Sequence, residues 1–62
     1  MVKQLTKEEF EKTIKFLKDD GRFELSYFDK DSISMSYYFT CTKGSATCLL
    51  VYYKDTNRYY ID

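Results

Sequence analysis

Histidine, tryptophan and proline are absent from this sequence of 62 residues, and glycine occurs only twice. Without histidine the chain lacks the side chain that proteins use most often as a general base and as a metal ligand. Ten basic and ten acidic residues give a formal net charge of +0, whereas nucleic-acid-binding proteins usually carry a basic excess. No apolar run reaches the roughly 18 residues of a membrane-spanning helix. We therefore expect no metal site, no cofactor and no membrane partner.

The length leaves room for one small domain, residues 1–62, which buries only about 60% of its unfolded surface. The aromatic content is high, at 19%, and large rings supply much buried area per residue in a small core. The N-terminus is charged and lacks the apolar segment of a secretory signal. These features favour a cytoplasmic location.

Residues 6–20 have the pattern of a helix with signals at both ends. Thr6 and Glu9 have the spacing of a capping box, in which each side chain accepts a hydrogen bond from the other residue's backbone N–H. Gly21 is typical of the left-handed residue that ends a helix. One stripe at the helical period consists of Phe10, Thr13, Ile14 and Leu17, and Phe16 lies off it.

After Gly21 the apolar period changes to two, which indicates β-strands separated by turns. The predicted strands lie within residues 22–28, 32–42, 46–54 and 58–62. The fold class is therefore α+β, with one N-terminal helix packed on a three- to four-stranded antiparallel meander. The helix is expected to cover the side that carries Phe23, Leu25, Tyr27, Ile33, Met35, Tyr37, Phe39, Leu50 and Tyr52.

Both cysteines flank a predicted turn. A two-residue loop at Gly44-Ser45, with the glycine at positive φ, places Cys41 opposite Cys48. Directly opposed residues have a separation that a disulfide tolerates, so a disulfide or redox switch is one interpretation. Two reduced cysteines that serve as small apolar residues are the other, and it is the more common case in the cytosol.

The side of the sheet away from the helix is the feature that indicates a function, because a two-layer domain leaves this side uncovered. An exposed aromatic patch usually marks an interface, and tyrosine is enriched in protein contacts. The alternation of the last strand leaves open whether Tyr59 with Ile61, or Tyr60, joins this side. The predicted partner-binding residues are Phe28, Tyr38, Leu49, Val51, Tyr53 and Tyr59.

Two functions compete on these residues. The first is a non-enzymatic module that binds a protein, either another protein or a second copy in a homodimer, and acts by covering a surface. In size and composition the chain resembles the small inhibitors that phages and mobile elements direct against host proteins, and no motif links it to one family.

The alternative is single-stranded nucleic-acid binding. Bases would stack on Tyr38, Tyr53 and Tyr59, and the nearby cations Lys43, Lys54 and Arg58 would contact phosphates. The zero net charge makes this the less favoured function. We do not expect an enzyme, since the carboxylates fall in turns and at helix ends and no nucleophile–base pair is evident.

Overall fold

The computed structural model describes residues 2–62, which form one helix and five strands. The elements are β1 (Lys3–Leu5), α1 (Lys7–Asp19), β2 (Phe23–Lys30), β3 (Ser34–Cys41), β4 (Thr47–Tyr53) and β5 (Arg58–Ile61). The strands build a single antiparallel sheet in the order β1-β5-β4-β3-β2. The predicted α+β class with an N-terminal helix is confirmed, although the sheet has five strands rather than three or four.

The unpredicted strand is β1, which precedes the helix and pairs with β5 from Lys3↔Ile61 to Leu5↔Tyr59. Three residues are too few to show a period of two, so the sequence pattern could not reveal it. β1 and β2 form opposite edges of the sheet, and α1 connects them. The helix therefore crosses one side of the whole sheet, which we call the inner face; the other side is the outer face.

Local hydrogen bonds define both ends of the helix. Thr6 Oγ1 accepts from the backbone N–H of Glu9 (3.1 Å), and Glu9 Oε1 accepts from that of Thr6 (2.9 Å); this confirms the predicted capping box. At the other end Asp20 is the cap residue, and its N–H donates to the carbonyl oxygen of Phe16. Gly21 does not adopt the expected left-handed conformation. The helix ends instead at Asp20 in an extended conformation, and the Asp20 carboxylate accepts a hydrogen bond from the N–H of Arg22.

The hairpin between β3 and β4 differs from the prediction by two residues of register. Phe39 pairs with Cys48, and the N–H of Cys41 donates to the carbonyl oxygen of Ala46 (2.9 Å). The loop is therefore four residues long, 42–45, and Gly44 has no positive φ. A shift of two residues leaves each side chain on its predicted face, because strand side chains alternate with a period of two.

Strand β2 contains a β-bulge between Leu25 and Tyr27. Leu25 pairs with Phe39, but Tyr27 pairs with Tyr38 instead of continuing the alternation. A bulge inserts one unpaired residue, here Ser26, and so reverses the facing of everything that follows it in the strand. Tyr27 consequently lies on the outer face rather than the predicted inner face.

The core lies between the helix and the inner face. Phe39 and Leu50 are 1% and 0% exposed and occupy the two central strands, while Phe10 and Leu17 reach them from the helix. Packed around this centre are Leu5, Ile14, Phe23, Tyr37, Cys48, Tyr52, Tyr59 and Ile61. Leu25 and Ile33, predicted inner-face residues, are 40% and 56% exposed, since one lies on the edge strand and the other precedes β3 in a turn.

A membrane-spanning helix is not found among residues 2–62: α1 has 13 residues and is too short and too polar to cross a bilayer.

Candidate interaction face

The outer face is built by alternate residues of the four longer strands. The even-numbered residues of β3, from Ser34 to Thr40, pair with the odd-numbered residues of β4, from Thr47 to Tyr53. The side chains of this set face away from the core residues Phe39 and Leu50. The strand ladder places apolar or aromatic side chains next to one another across the face. These form what we call the outer-face cluster: Val2, Tyr27, Tyr38, Leu49, Val51, Tyr53 and Tyr60.

The prediction was wrong for two of the six partner-binding residues, which lie on the inner face. Phe28 pairs with Tyr37, and the two ring centroids are 4.9 Å apart. Tyr59 stacks on Tyr52 at 4.6 Å and lies 4.9 Å from Phe10 of the helix. The other four predicted residues, Tyr38, Leu49, Val51 and Tyr53, lie on the outer face.

Each correction has a local physical cause. The bulge at Ser26 exchanges Phe28 for Tyr27 on the outer face. In the loop between β4 and β5, Asn57 adopts a left-handed conformation (φ 56°), which asparagine tolerates better than most residues. Its Oδ1 accepts a hydrogen bond from the Tyr52 hydroxyl (3.0 Å). This loop pairs Tyr53 with Arg58, which turns Tyr60 outward and Tyr59 inward.

The outer-face cluster has two halves of different shape. On the β2–β3 half, Tyr27 is 60% exposed and stands beside its cross-strand partner Tyr38. On the β4–β5–β1 half, a basin of about 520 Å³ opens to solvent. The rings of Tyr53 and Tyr60 meet there edge to face at 5.7 Å. The apolar lining of the basin consists of Val2, Leu49, Val51, Tyr53, Tyr60 and Ile61.

Charged side chains on the outer face lie at its margins. Asp29 follows Tyr27 on the same side of β2, and Arg58 lies at the rim of the basin, opposite Tyr53. Within residues 2–62 neither Asp29 nor Arg58 forms an ion pair; a pair is formed instead by Arg22 and Asp20 (2.9 Å). Asp55 and Asp62 also line the basin, and Glu24 lies on the outer side of β2. The face therefore presents an apolar centre with charges of both signs at its margins.

The cysteines are diagonal neighbours rather than the directly opposed pair that was predicted. Cys41 lies across from Ala46 and Cys48 lies across from Phe39, so both thiols are on the inner face. Diagonal neighbours are about 7–8 Å apart, whereas the Cα atoms of a disulfide are about 4.4–6.8 Å apart. Both cysteines are free, and burial raises the pKa of the Cys48 thiol, which lowers its reactivity at neutral pH.

The carboxylates perform local structural tasks. Hydrogen bonds from the backbone N–H groups of Ser34 and Ile33 hold the pKa of Asp31 below its usual range. Hydrogen bonds from Arg22 lower the pKa of Asp20 in the same way. In the described part of the chain, no three acidic or cysteine side chains converge in a way that could hold a metal ion.

The side chains expected to bind single-stranded nucleic acid do not share one surface. Tyr59 lies on the inner face, away from Tyr38 and Tyr53. Lys54 is half-buried, and its ammonium group donates to the backbone carbonyl oxygen of Asp31 (2.7 Å). The proposed stacking row and its phosphate contacts are therefore divided between the two faces and a turn.

Two members of the outer-face cluster, Val2 and Tyr27, were not predicted from sequence, and Tyr60 was left open as the alternative to Tyr59. Residues 27–28 and 59–60 are adjacent aromatic pairs, and in each pair one ring lies on each side of the strand. The sequence pattern therefore does not decide which ring of a pair lies on the outer face. The alternation of Phe23, Leu25 and Tyr27 continues through Ser26, so the pattern held no signal of the bulge. For Val2 the pattern held no signal, since β1 is so short.

Comparisons of the chain with protein-family models, with curated protein sequences and with solved structures found no match in any of the three. The interpretation of the outer face therefore depends on the chain's own residues.

Proposed function

We propose that the protein is a non-enzymatic binding module that uses its outer-face cluster to cover a surface of a protein partner. The observation that carries this proposal is the continuous row of apolar and aromatic side chains that the helix leaves uncovered, from Tyr27 across Tyr38 and Leu49. Contiguous exposed apolar patches on small proteins usually mark interaction sites.

The chemistry of the face supports binding rather than catalysis. Tyrosine combines a rigid ring with a polar hydroxyl, so it contributes contact area at a low entropic cost. The face holds tyrosine hydroxyls and separated charges, and no nucleophile lies beside a base on it. We infer that such a module would inhibit its partner by occlusion; in size and composition it resembles phage-type inhibitors. The unpaired thiols Cys41 and Cys48 support a cytoplasmic location.

The test begins with capture of binding proteins from a lysate and identification of the partner by mass spectrometry. Binding of the purified partner is then measured for the wild type and for the double variant Tyr38→Ser/Tyr53→Ser. We expect the double variant to bind at least about tenfold more weakly, as is typical when interface tyrosines are removed.

Phe16→Ser is the matched control, because Phe16 is 52% exposed but belongs to the helix side. Equal affinities for the wild type and the double variant, together with weaker binding by Phe16→Ser, would contradict the proposal. A parallel titration with a labelled single-stranded oligonucleotide at low salt tests the alternative function; affinity that increases as salt falls would favour it.

A further inference from the structure

We infer that the partner that best fits the outer face is a second copy of this chain, in a symmetric face-to-face dimer. This inference depends on the proposed use of the outer face and specifies the partner. In the dimer, Tyr27 of each copy enters the basin of the other, and Asp29 of each copy approaches Arg58 of the other. Shape and area support this arrangement, and the charges at the margins of the face provide a test of it.

The shape argument concerns the two halves of the face. A two-fold axis that runs between two packed sheets, parallel to their strands, places the β2–β3 half of one copy over the β4–β5–β1 half of the other. In such an interface every contact occurs twice. The exposed Tyr27 on one half then meets the basin lined by Val51 and Tyr60 on the other half.

The charge argument uses the same operation. Asp29 lies one side-chain position beyond Tyr27 on the outer side of β2, and Arg58 lies on β5 at the rim of the basin. Within one copy they are three strand spacings apart, about 14 Å or more, and neither has an ion-pair partner among the described residues. The two-fold axis brings Asp29 of each copy towards the partner's Arg58, at the rim of a basin that Asp55 and Asp62 also line. The net charge of +0 leaves little repulsion between copies.

The area argument concerns what a flat face can bury. The five strands average six residues, and at about 4.8 Å between strands and about 3.3 Å per residue they give a face of roughly 500 Å². Specific interfaces bury roughly 1,000 Å² or more in total. Only a partner that covers the whole face reaches this amount, and a second twisted sheet, packed at about 30° to the first, has the matching shape.

Pairing of two β2 edges is the competing way to dimerise, and the structure disfavours it. The bulge at Ser26 interrupts the alternation of this edge strand, and bulges hinder edge-to-edge pairing. The antiparallel alignment that matches the faces on both sides of the bulge sets Glu24 opposite Asp29, and like charges directly opposite each other are destabilising.

The first measurement is sedimentation velocity of the wild-type chain from about 1 µM to 1 mM. We expect a reversible dimer with a dissociation constant on the order of micromolar, as befits an interface near the lower limit of the specific class. Tyr27→Ser should weaken it by about tenfold, and Phe16→Ser should leave it unchanged. A wild-type chain that stays monomeric up to 1 mM overturns the inference, and so does a dimer that Phe16→Ser weakens and Tyr27→Ser does not.

Charge reversal identifies the symmetric contact. Asp29→Arg and Arg58→Asp should each weaken self-association by about tenfold, because each creates two like-charge contacts. An equimolar mixture of the two variants should form a heterodimer as tight as the wild-type dimer, since both contacts are then complementary. The combined variant Asp29→Arg/Arg58→Asp should also regain wild-type affinity. Failure of both the mixture and the combined variant to regain affinity overturns this geometry.

The outcome for the dimer is distinguishable from the outcome for the proposed function. A monomeric chain whose Tyr38→Ser/Tyr53→Ser variant loses a different protein partner retains the function and overturns the dimer. A dimer that shows the charge-reversal pattern supports the inference directly. Circular dichroism of every variant checks that the fold is intact, which matters most for Tyr38, because it is half-buried whereas Tyr27 and Tyr53 are exposed.

Discussion

The two faces of the sheet have similar side chains and different environments. Leu50 is fully buried, while its neighbour Leu49 lies on the outer face; Phe39 is 1% exposed, while its neighbour Tyr38 is only half-buried. These neighbours share their strands and most of their apolar character. What separates them is the helix, which crosses one face and leaves the other uncovered. An apolar residue in this fold is therefore structural on one face and available for contacts on the other.

Substitution of the two leucines tests this difference most strongly. Leu50→Ala should lower the free energy of unfolding by about 2–5 kcal/mol, because it removes buried methyl groups and leaves a cavity. Leu49→Ala should lower it by about 1 kcal/mol or less, since its side chain is only partly removed from water. Urea denaturation followed by circular dichroism measures both values at a protein concentration low enough to prevent association. Equal losses would show that the faces do not differ as described.

The helix that covers the inner face can be weakened at its N-terminal cap. Thr6→Ala removes the side-chain acceptor of the capping box and should cost about 1 kcal/mol, which lowers the melting temperature by roughly 4–8 °C in a domain of this size. Thr6→Ser is the matched control, because serine keeps the hydroxyl group and should change the melting temperature little. If Thr6→Ala melts at the wild-type temperature, the cap does not stabilise the helix.

Deletion of Ser26 tests which residues of β2 lie on the inner face and which on the outer face. Removing the bulged residue restores a regular alternation in which Tyr27 stays on the outer face and Phe28 stays beside Tyr37. We expect a change in unfolding free energy of about 1 kcal/mol or less. Nuclear Overhauser effects between the rings of Phe28 and Tyr37 report the facing. Ser26→Ala, which keeps the bulge but loses the hydroxyl contact to Thr40, is the control. Loss of the ring contacts in the deletion variant alone would contradict the bulge assignment.

The smallest expected effect is on the pH dependence of stability. The pKa values of Glu9, Asp20 and Asp31 are lowered in the folded chain by hydrogen bonds that their carboxylates accept. A carboxyl group whose pKa is lower in the folded chain than in the unfolded chain, where it is about 4, stabilises the folded chain at pH values above the unfolded pKa. This stabilisation is lost as the pH falls through the pKa of the folded chain. The unfolding free energy should therefore decrease from pH 5 towards pH 2.

Asp31→Asn should make this decrease smaller, since its amide oxygen can still accept hydrogen bonds but has no carboxyl proton to titrate. Urea denaturation at several pH values provides the measurement. Asp19→Asn is the control, because the Asp19 carboxylate accepts no hydrogen bond within residues 2–62. An unchanged slope in Asp31→Asn would show that Asp31 does not contribute.

Much of the fold was predictable from local pattern. The capping box at Thr6 and Glu9 and the helical stripe that carries Phe10 and Leu17 are short-range signals, and both are present. The alternation in β3 and β4 assigned the faces of Tyr38 and Leu49 even though the predicted register was wrong by two residues. A register error of two residues preserves facing, and for this reason most of the candidate interaction face was identified despite it.

The predictions were wrong in two kinds of place. In one, a single residue determines which side chains of a strand face outward; in the other, two strands pair that are far apart in sequence. The bulge at Ser26 and the left-handed Asn57 each determine which of two adjacent aromatic residues points outward. β1 gains its hydrogen bonds from β5 at the other end of the chain. Local propensity does not encode such choices, because their energies come from contacts across the sheet.

The amino-acid sequence by itself determined the helix, its N-terminal cap, the central strands and the face of each central side chain, because helical and strand periods are local properties of the chain. Tertiary structure alone decided the fifth strand, the loop length at residues 42–45, the separation of the two thiols and the exchange of Phe28 and Tyr59 for Tyr27 and Tyr60 on the outer face. The physical reason is that backbone hydrogen bonds and core packing between distant segments select one register among several that the local pattern permits equally.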